Sequence, residues 1–235
     1  MLSQKLIIIL IIICCIINCL PSFGETQLNY LGLFSKILTY VLLFLFGYSN
    51  YRESEEQESR IMALVNLGLL FSFIADLLLF FKANFASFFF FFLVPTCYTC
   101  AIFPSKPYNF KWIAIFPFSI ILVLFDTNIL PLIDPTLKIP TILFSISFVI
   151  AVWLSAERTI KLHTNSSKYN FLGYISFMFA AVIFTSTKTF VDLDLDDLIT
   201  FPLFVFSQVL ILYSLKTEKK KSQKELLEEL MKKKN

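Results

Sequence analysis

A single carboxylate inside an apolar stretch is the first candidate for chemistry in this sequence. The stretch Ile61 to Lys82 has about the 20 apolar residues that an α-helix needs to cross a bilayer, and it contains Asp76. A charged side chain at that depth costs roughly 2.5 to 3.5 kcal/mol on insertion scales, so Asp76 needs a partner or a function. Helical spacing places Gly68 and Ser72 on the face that carries Asp76. This small, polar face predicts that Asp76 points into a helical bundle and not into lipid.

Lys188 is the candidate counter-charge for Asp76. It lies near the end of the apolar stretch Phe171 to Phe190, on a face that it shares with Thr185. Asp76 is about 15 residues into its helix and Lys188 about 17, counted from the same membrane side, so the two reach similar depths. We therefore predict an ion pair between these side chains. The alternative is that Lys188 extends to the membrane interface and is solvated there.

Other patterns that can carry chemistry give weak signals. The C-x-x-C of Cys97 and Cys100 lies inside an apolar segment, without the electropositive or ligand-rich surroundings that a reactive or metal-binding thiolate needs. His163 is the only histidine, so a histidine-based metal site or base relay has no second member. The sequence contains neither a glycine-rich phosphate loop nor a G-x-S-x-G pattern. We expect no cofactor, no metal ion and no nucleic-acid partner.

The composition indicates which scaffold positions these residues. The chain has 235 residues, of which 57% are hydrophobic and 16% charged, and its mean hydropathy is +0.75. Soluble domains carry about 25% charged residues, so the sequence predicts an all-α, multispanning helical bundle in a membrane, built as one compact domain. The predicted helices after the N-terminal run are Leu31 to Tyr48, Ile61 to Phe81, Phe85 to Phe103, Trp112 to Phe125, Thr141 to Ala156, Phe171 to Phe190 and Pro202 to Leu215.

The N-terminal run allows two interpretations. Leu6 to Leu20 is short for a membrane span, and Ser22 to Gly24 offers small residues at which a signal peptidase cuts. The same run can also continue to Phe23 as a first membrane helix. Residues 1–24 are therefore a signal peptide or a first transmembrane helix, which gives seven or eight spans. Residues 25–215 form the transmembrane domain, and residues 216–235 form a basic tail.

Lysine and arginine placement predicts the orientation of the bundle. The tail from Lys216 to Asn235 holds eight lysines and is expected in the cytosol, together with the loop Glu157 to Lys168. The acidic segment Val191 to Leu198 is expected on the opposite side. The last four residues, Lys232 to Asn235, resemble a dilysine retrieval signal, which predicts residence in the endoplasmic reticulum.

The pattern from Leu31 to Leu215 resembles the YhhN family of lysoplasmalogenases, which includes the eukaryotic transmembrane protein 86 group. The stretch Gly68 to Leu79, GLLFSFIADLLL, is similar to the family's G-L-x-x-S-x-x-G-D-x-x-L. Tyr98 fits the tyrosine of an A-H-x-x-Y run, although Pro95 stands where the histidine is expected. The segment Ala180 to Phe190 resembles G-A-x-x-F-x-x-S-D, with Lys188 in place of the aspartate. Ala151-Val152-Trp153 resembles a tryptophan motif of the family. Phe206 to Ile211 resembles the A-Q-x-L-I of the last helix.

The resemblance implies an enzyme that hydrolyses the vinyl ether of a lysoplasmalogen, a membrane lysophospholipid, to a fatty aldehyde and a glycerophospho-alcohol. Asp76 and Lys188 are then the predicted catalytic residues, and the predicted substrate-binding residues are Ser72, Tyr98, Thr185 and Gln208. A cation beside Asp76 stabilises the ionised carboxylate, which is a poor acid. The alternative is therefore a catalytically inactive membrane protein of this fold, in which Asp76 and Lys188 form a structural pair.

Overall fold

The computed structural model describes residues 4–19, 28–51, 56–102, 115–190 and 196–214, and nearly all of these residues are helical. The helices are α1 (Gln4–Cys19), α2 (Leu28–Tyr51), α3 (Glu56–Phe80), α4 (Asn84–Ile102), α5 (Phe116–Ile129), α6 (Lys138–Leu162), α7 (Asn165–Phe190) and α8 (residues 201–214). Two short 3-10 turns connect α5 to α6, and a π-helical turn, Asp196–Thr200, precedes α8. The predicted all-α class is confirmed within these ranges.

Five of the eight helices are long and apolar enough to cross a bilayer. Their candidate spans are Tyr30–Ser49, Arg60–Phe80, Asn84–Ala101, Pro135–Lys161 and Asn165–Ser186. The apolar helices α1, α5 and α8 are shorter than a full span. The prediction of seven or eight spans therefore stays a prediction.

Polar side chains are buried in the bundle while large apolar side chains cover its outside. Ser72, Ser207 and Gln208 are fully buried, whereas Phe34 and Phe179 are more than half exposed. In water this arrangement would be costly, but in lipid the apolar outer surface is solvated and the inner polar groups find partners between helices. The burial pattern therefore supports a membrane bundle.

The helices pack in neighbouring pairs around α3, α4 and α6. Helix α4 contacts both α3 and α6, α2 contacts α3, and α7 contacts α6. Helix α1 packs along α2 and buries Ile7, Ile11 and Asn18 there. The hydroxyl of Ser35 on α2 donates a 3.4 Å hydrogen bond to Oδ1 of Asn18. Residues 20–27, where a signal peptidase would cut, lie outside the described part of the chain.

Several helices are longer than their apolar segments indicate. Helix α6 continues to Leu162, so Glu157, which the sequence placed in a loop, is buried in the helix and lies 3.4 Å from Lys161. The connection to α7 contains only His163 and Thr164: His163 ends α6 in the left-handed conformation, and the Thr164 hydroxyl accepts from the amide of Ser167. Helical hydrogen bonding thus continues past the apolar segment, because polar end residues satisfy the last backbone groups.

Candidate functional site

The carboxyl group of Asp76 is held by a tyrosine from a neighbouring helix. The Tyr40 hydroxyl on α2 donates a 2.6 Å hydrogen bond to Oδ2 of Asp76 on α3. Tyr40 is 2% exposed, and its ring packs against Phe73, Phe201 and Phe204 at centroid distances of 5.3 to 6.3 Å. Because these rings fix the tyrosine, its hydroxyl holds one carboxyl oxygen of Asp76 in a defined position.

The face of α3 that carries Gly68, Ser72 and Asp76 points into the bundle, as the sequence predicted. Gly68 lies under the ring of Tyr98 on α4, so closely that a Cβ at position 68 would collide with Cε1 of that ring. Ser72 is fully buried, and its hydroxyl has no hydrogen-bond partner among the described residues. Asp76 follows one turn later and meets Tyr40 of α2. The small residues thus allow α4 to pack closely on α3, and the carboxylate of Asp76 lies where α2 and α3 meet.

Two predicted substrate-binding residues, Tyr98 and Gln208, form a second polar pair. The Tyr98 hydroxyl donates a short hydrogen bond to Oε1 of Gln208 on α8, and both residues are fully buried. The ring of Tyr98 also contacts Tyr174 on α7 edge-on, at a centroid distance of 6.0 Å. The hydroxyl of Tyr174 is buried without a hydrogen-bond partner in the described ranges. Helices α4, α7 and α8 therefore converge on one polar cluster.

A row of aromatic rings connects the two polar pairs. The ring of Tyr40 packs on Phe204, Phe204 packs on Phe177 at 5.3 Å, and Phe177 packs on Tyr98 at 6.3 Å. All four residues belong to the hydrophobic core. The pair Tyr40–Asp76 and the pair Tyr98–Gln208 thus lie at opposite ends of one rigid aromatic block.

The remaining predicted site residues lie on α7. The hydroxyl of Thr185 donates a 2.9 Å hydrogen bond to the carbonyl of Ala181 in the same helix. Helix α7 runs through Lys188, but the side chain of Lys188 lies outside the described part of the structure. The predicted ion pair between Asp76 and Lys188 therefore stays a prediction, as do the predicted roles of all the site residues.

Two residues of α2 that bear on this site were not predicted from the sequence. Tyr40 gives no signal of its own, because an aromatic residue in an apolar helix most often belongs to the core. Lys36 lies one turn before Tyr40 on α2, and its Nζ is 5.4 Å from the centroid of the Phe201 ring. A lysine inside the apolar segment Leu31 to Tyr48 is as costly as Asp76 in its own segment, so its position alone was a usable signal.

The groups around Asp76 are suited to moving a proton. They are the carboxyl itself, the phenol of Tyr40 that donates to it, and the buried hydroxyl of Ser72 one turn away on the same helix. A carboxyl that a neighbouring hydroxyl holds in a defined geometry can transfer a proton efficiently. Within the described ranges, no group of three His, Cys, Asp or Glu side chains is able to hold a metal ion.

Comparison with known proteins places the chain in a family. The family model described as the YhhN family matches residues 31–215, which is more than three quarters of the chain. No curated protein and no solved structure matches the chain. The matched range begins in α2, ends just after α8, and includes both polar pairs of the core. This chain belongs to the YhhN family.

Proposed function

We propose that this protein is a lysoplasmalogenase-like integral membrane hydrolase, which cleaves the vinyl ether of a lysoplasmalogen to a fatty aldehyde and a glycerophospho-alcohol. The observation that carries the proposal is the carboxyl of Asp76, fixed by Tyr40 inside the bundle of a YhhN family chain. Asp76 lies four residues before the end of the candidate span at Phe80, which is about 6 Å along the helix. The vinyl ether of a glycerolipid lies at a similar depth, directly below its head group.

The chemistry begins with a proton. Asp76, in its protonated form, donates its proton to the outer carbon of the vinyl ether. The resulting oxocarbenium ion takes up water at its ether carbon and returns a proton to the carboxylate. The hemiacetal then breaks its carbon–oxygen bond to give the aldehyde and the free glycerol hydroxyl. The net reaction consumes one water, and Asp76 recovers its proton.

Ser72 supports this assignment as a group that orients water or substrate. It lies one helical turn from Asp76 on the same face, a separation of about 6 Å. Its buried hydroxyl lacks a protein partner among the described residues, and a buried hydroxyl without a hydrogen bond costs about 1 to 3 kcal/mol. A water or ligand oxygen at this position satisfies the hydroxyl and lies within reach of the carboxyl.

A second candidate function is a non-catalytic membrane protein that keeps the YhhN fold. Two departures from the family pattern favour it: Lys188 stands in place of the second aspartate, and Pro95 in place of the histidine. In this alternative Asp76 is a structural carboxylate, held by Tyr40 and neutralised by Lys188. The two candidates differ in whether Asp76 gives up a proton during turnover.

The proposed location follows from the sequence and the helices together. The apolar helices support an integral membrane protein. We place the basic tail, residues 216–235, in the cytosol because of its eight lysines, and we assign the protein to the endoplasmic reticulum because of the ending Lys232 to Asn235. A membrane lysophospholipid is the proposed substrate.

The experiment that tests the function measures aldehyde release by the purified protein from a lysoplasmalogen in mixed micelles. Native protein is expected to release aldehyde, and Asp76→Asn to lose about 10²- to 10⁴-fold of the rate, the usual contribution of a general acid. Asp134→Asn is the matched control, because that carboxylate is exposed and accepts hydrogen bonds from its near neighbour Thr136. Absence of aldehyde with native protein would favour the non-catalytic alternative, and hydrolysis that survives Asp76→Asn would remove Asp76 from the mechanism.

A further inference from the structure

The ammonium group of Lys36 lies against an aromatic ring that also packs on Tyr40, the hydrogen-bond partner of Asp76. Its Nζ is 5.4 Å from the centroid of Phe201, and the same ring packs on Tyr40 at 6.3 Å. Tyr40 in turn donates to Asp76. One aromatic ring of α8 therefore contacts both the lysine and the tyrosine of α2, and the tyrosine bonds to the carboxyl of α3.

Lys36 lies in the outer part of its candidate span. Lys36 lies six residues after Tyr30, where the candidate span begins, which is about 9 Å along the helix. A lysine side chain spans much of that distance, so its ammonium group reaches the interface. Asp76 lies near the end of its own span at Phe80, and its bond to Tyr40 brings it to the same end of the bundle.

We infer that Lys36 binds the phosphate of a lysophospholipid whose sn-1 ether lies at Tyr40 and Asp76. The inference rests on the proposed function and names the group that recognises the substrate. Lysine binds phosphate as a compact point charge. Lys36 and Tyr40 are four residues apart, about 6 Å along the axis, which matches the three-carbon glycerol between a phosphate and an sn-1 oxygen. Phe201 orients the ammonium group by a cation–π contact.

The test uses ligands that cannot be hydrolysed, so that binding is measured apart from catalysis. Radiolabelled 1-O-alkyl-glycerophosphoethanolamine, a saturated ether lysophospholipid, is bound to the full-length protein in nanodiscs. Uncharged 1-O-alkylglycerol with the same chain is the comparison ligand. Native protein is expected to prefer the phospholipid, and Lys36→Gln to weaken phospholipid binding by roughly tenfold while leaving the uncharged ether unchanged. Lys36→Arg, which keeps the charge, is expected to retain most of the preference.

Lys82→Gln is the matched control, because Lys82 is an exposed lysine just after α3 at the same end of the bundle. It is expected to bind both lipids as the native protein does. Equal weakening of both lipids in Lys36→Gln would assign Lys36 a purely structural role and overturn the inference. A native protein without any preference for the phospholipid would overturn it as well, even if Lys36→Gln does not fold.

Two further results separate this inference from the proposed reaction. A native protein that binds the phospholipid through Lys36 but releases no aldehyde would contradict the proposed hydrolysis and still support the phosphate site. If the native protein hydrolyses lysoplasmalogen and Lys36→Gln binds and hydrolyses it equally well, the phosphate site alone is contradicted. Soluble glycerophosphoethanolamine, which carries the phosphate without a chain, is expected to compete weakly with the lipid for binding. If it competes as strongly as the lipid does, the site recognises a soluble phosphate ester and not a lipid head group.

Discussion

Gly68 and Tyr98 are in direct contact, with the backbone of α3 lying against the aromatic ring of α4. A Cβ added at Gly68 would collide with Cε1 of the ring and lie 2.9 Å from Cδ1. The ring has no freedom to move aside, because its hydroxyl bonds to Gln208 and its edge contacts Tyr174. The packing of α3 on α4 therefore depends on the absence of a side chain at position 68.

Gly68→Ala is expected to destabilise the protein. An added methyl group in a tightly packed core costs about 1 to 3 kcal/mol, which exceeds the gain of up to about 1 kcal/mol from replacing glycine in a helix. Gly47→Ala is the matched comparison: its Cβ would lie 2.5 Å from Oδ1 of Asn66, the end of a side chain that is able to turn away. Thermal unfolding in detergent should show a larger loss at Gly68, and equal losses would contradict the rigidity of Tyr98.

Tyr40→Phe is expected to lower the rate of aldehyde release by tenfold or more, roughly the loss from misplacing a catalytic group. The change removes the hydrogen bond to Asp76 while the ring keeps its packing on Phe73 and Phe204. Tyr30→Phe, an exposed tyrosine on the same helix, is the control and should be unchanged. If Tyr40→Phe keeps the full rate, the hydrogen bond has no part in catalysis.

The predicted pair of Asp76 and Lys188 is tested by a double-mutant cycle. Breaking a buried ion pair typically costs about 3 to 5 kcal/mol, while replacing both partners is often nearly neutral. Asp76→Asn and Lys188→Met should each lower the melting temperature, and the double variant should recover much of the loss. Additive losses would mean that the two groups do not interact.

Lys188→Asp adds an activity measurement to the same cycle. The change restores the two-carboxylate pattern that the family resemblance implies. If the native protein is inactive, aldehyde release is expected to appear in this variant. No gain would point to Pro95, which stands in place of a histidine, as the remaining obstacle.

The orientation is tested with a tag after Asn235. Because the tail from Lys216 carries eight lysines, protease added to sealed microsomes is expected to remove the tag. A tag inserted between Val191 and Leu198 should be protected in the same preparation. Protection of the C-terminal tag would reverse the proposed topology.

The retrieval signal is tested by replacing Lys232 and Lys233 with serine. The tail offers matched lysines for comparison, and replacing Lys219 and Lys220 instead removes the same charge at a different place. Loss of the terminal pair is expected to release the protein to later compartments, as followed by fluorescence microscopy. If both variants stay where the native protein stays, another feature retains it.

The inward face of α3 was predictable from one physical rule: a carboxylate and small residues at four-residue spacing avoid lipid. The pairing of Tyr98 with Gln208 was not, since both were proposed as site residues but they lie 110 positions apart in the chain. Only the packing of α4 against α8 brings them together. Tyr40 was missed for the same reason, because its role depends on where α2 meets α3.

The end of the sixth helix could not be predicted from hydropathy. Hydropathy follows the apolar segment alone, and it ended the sixth helix of the eight at Ala156. Glu157 and Lys161 continue that helix as an ion pair at its end, and His163 then ends it. A polar residue next to an apolar run therefore marks the membrane boundary more reliably than the end of the helix.

The hydrogen bond between Ser35 and Asn18 has a consequence for biosynthesis. Both residues are buried between α1 and α2, so the removal of α1 would turn this polar face of α2 toward lipid. Lipid offers no replacement hydrogen bonds, which makes that exposure unfavourable. A signal peptidase that removed α1 from the finished bundle would therefore leave a less stable protein.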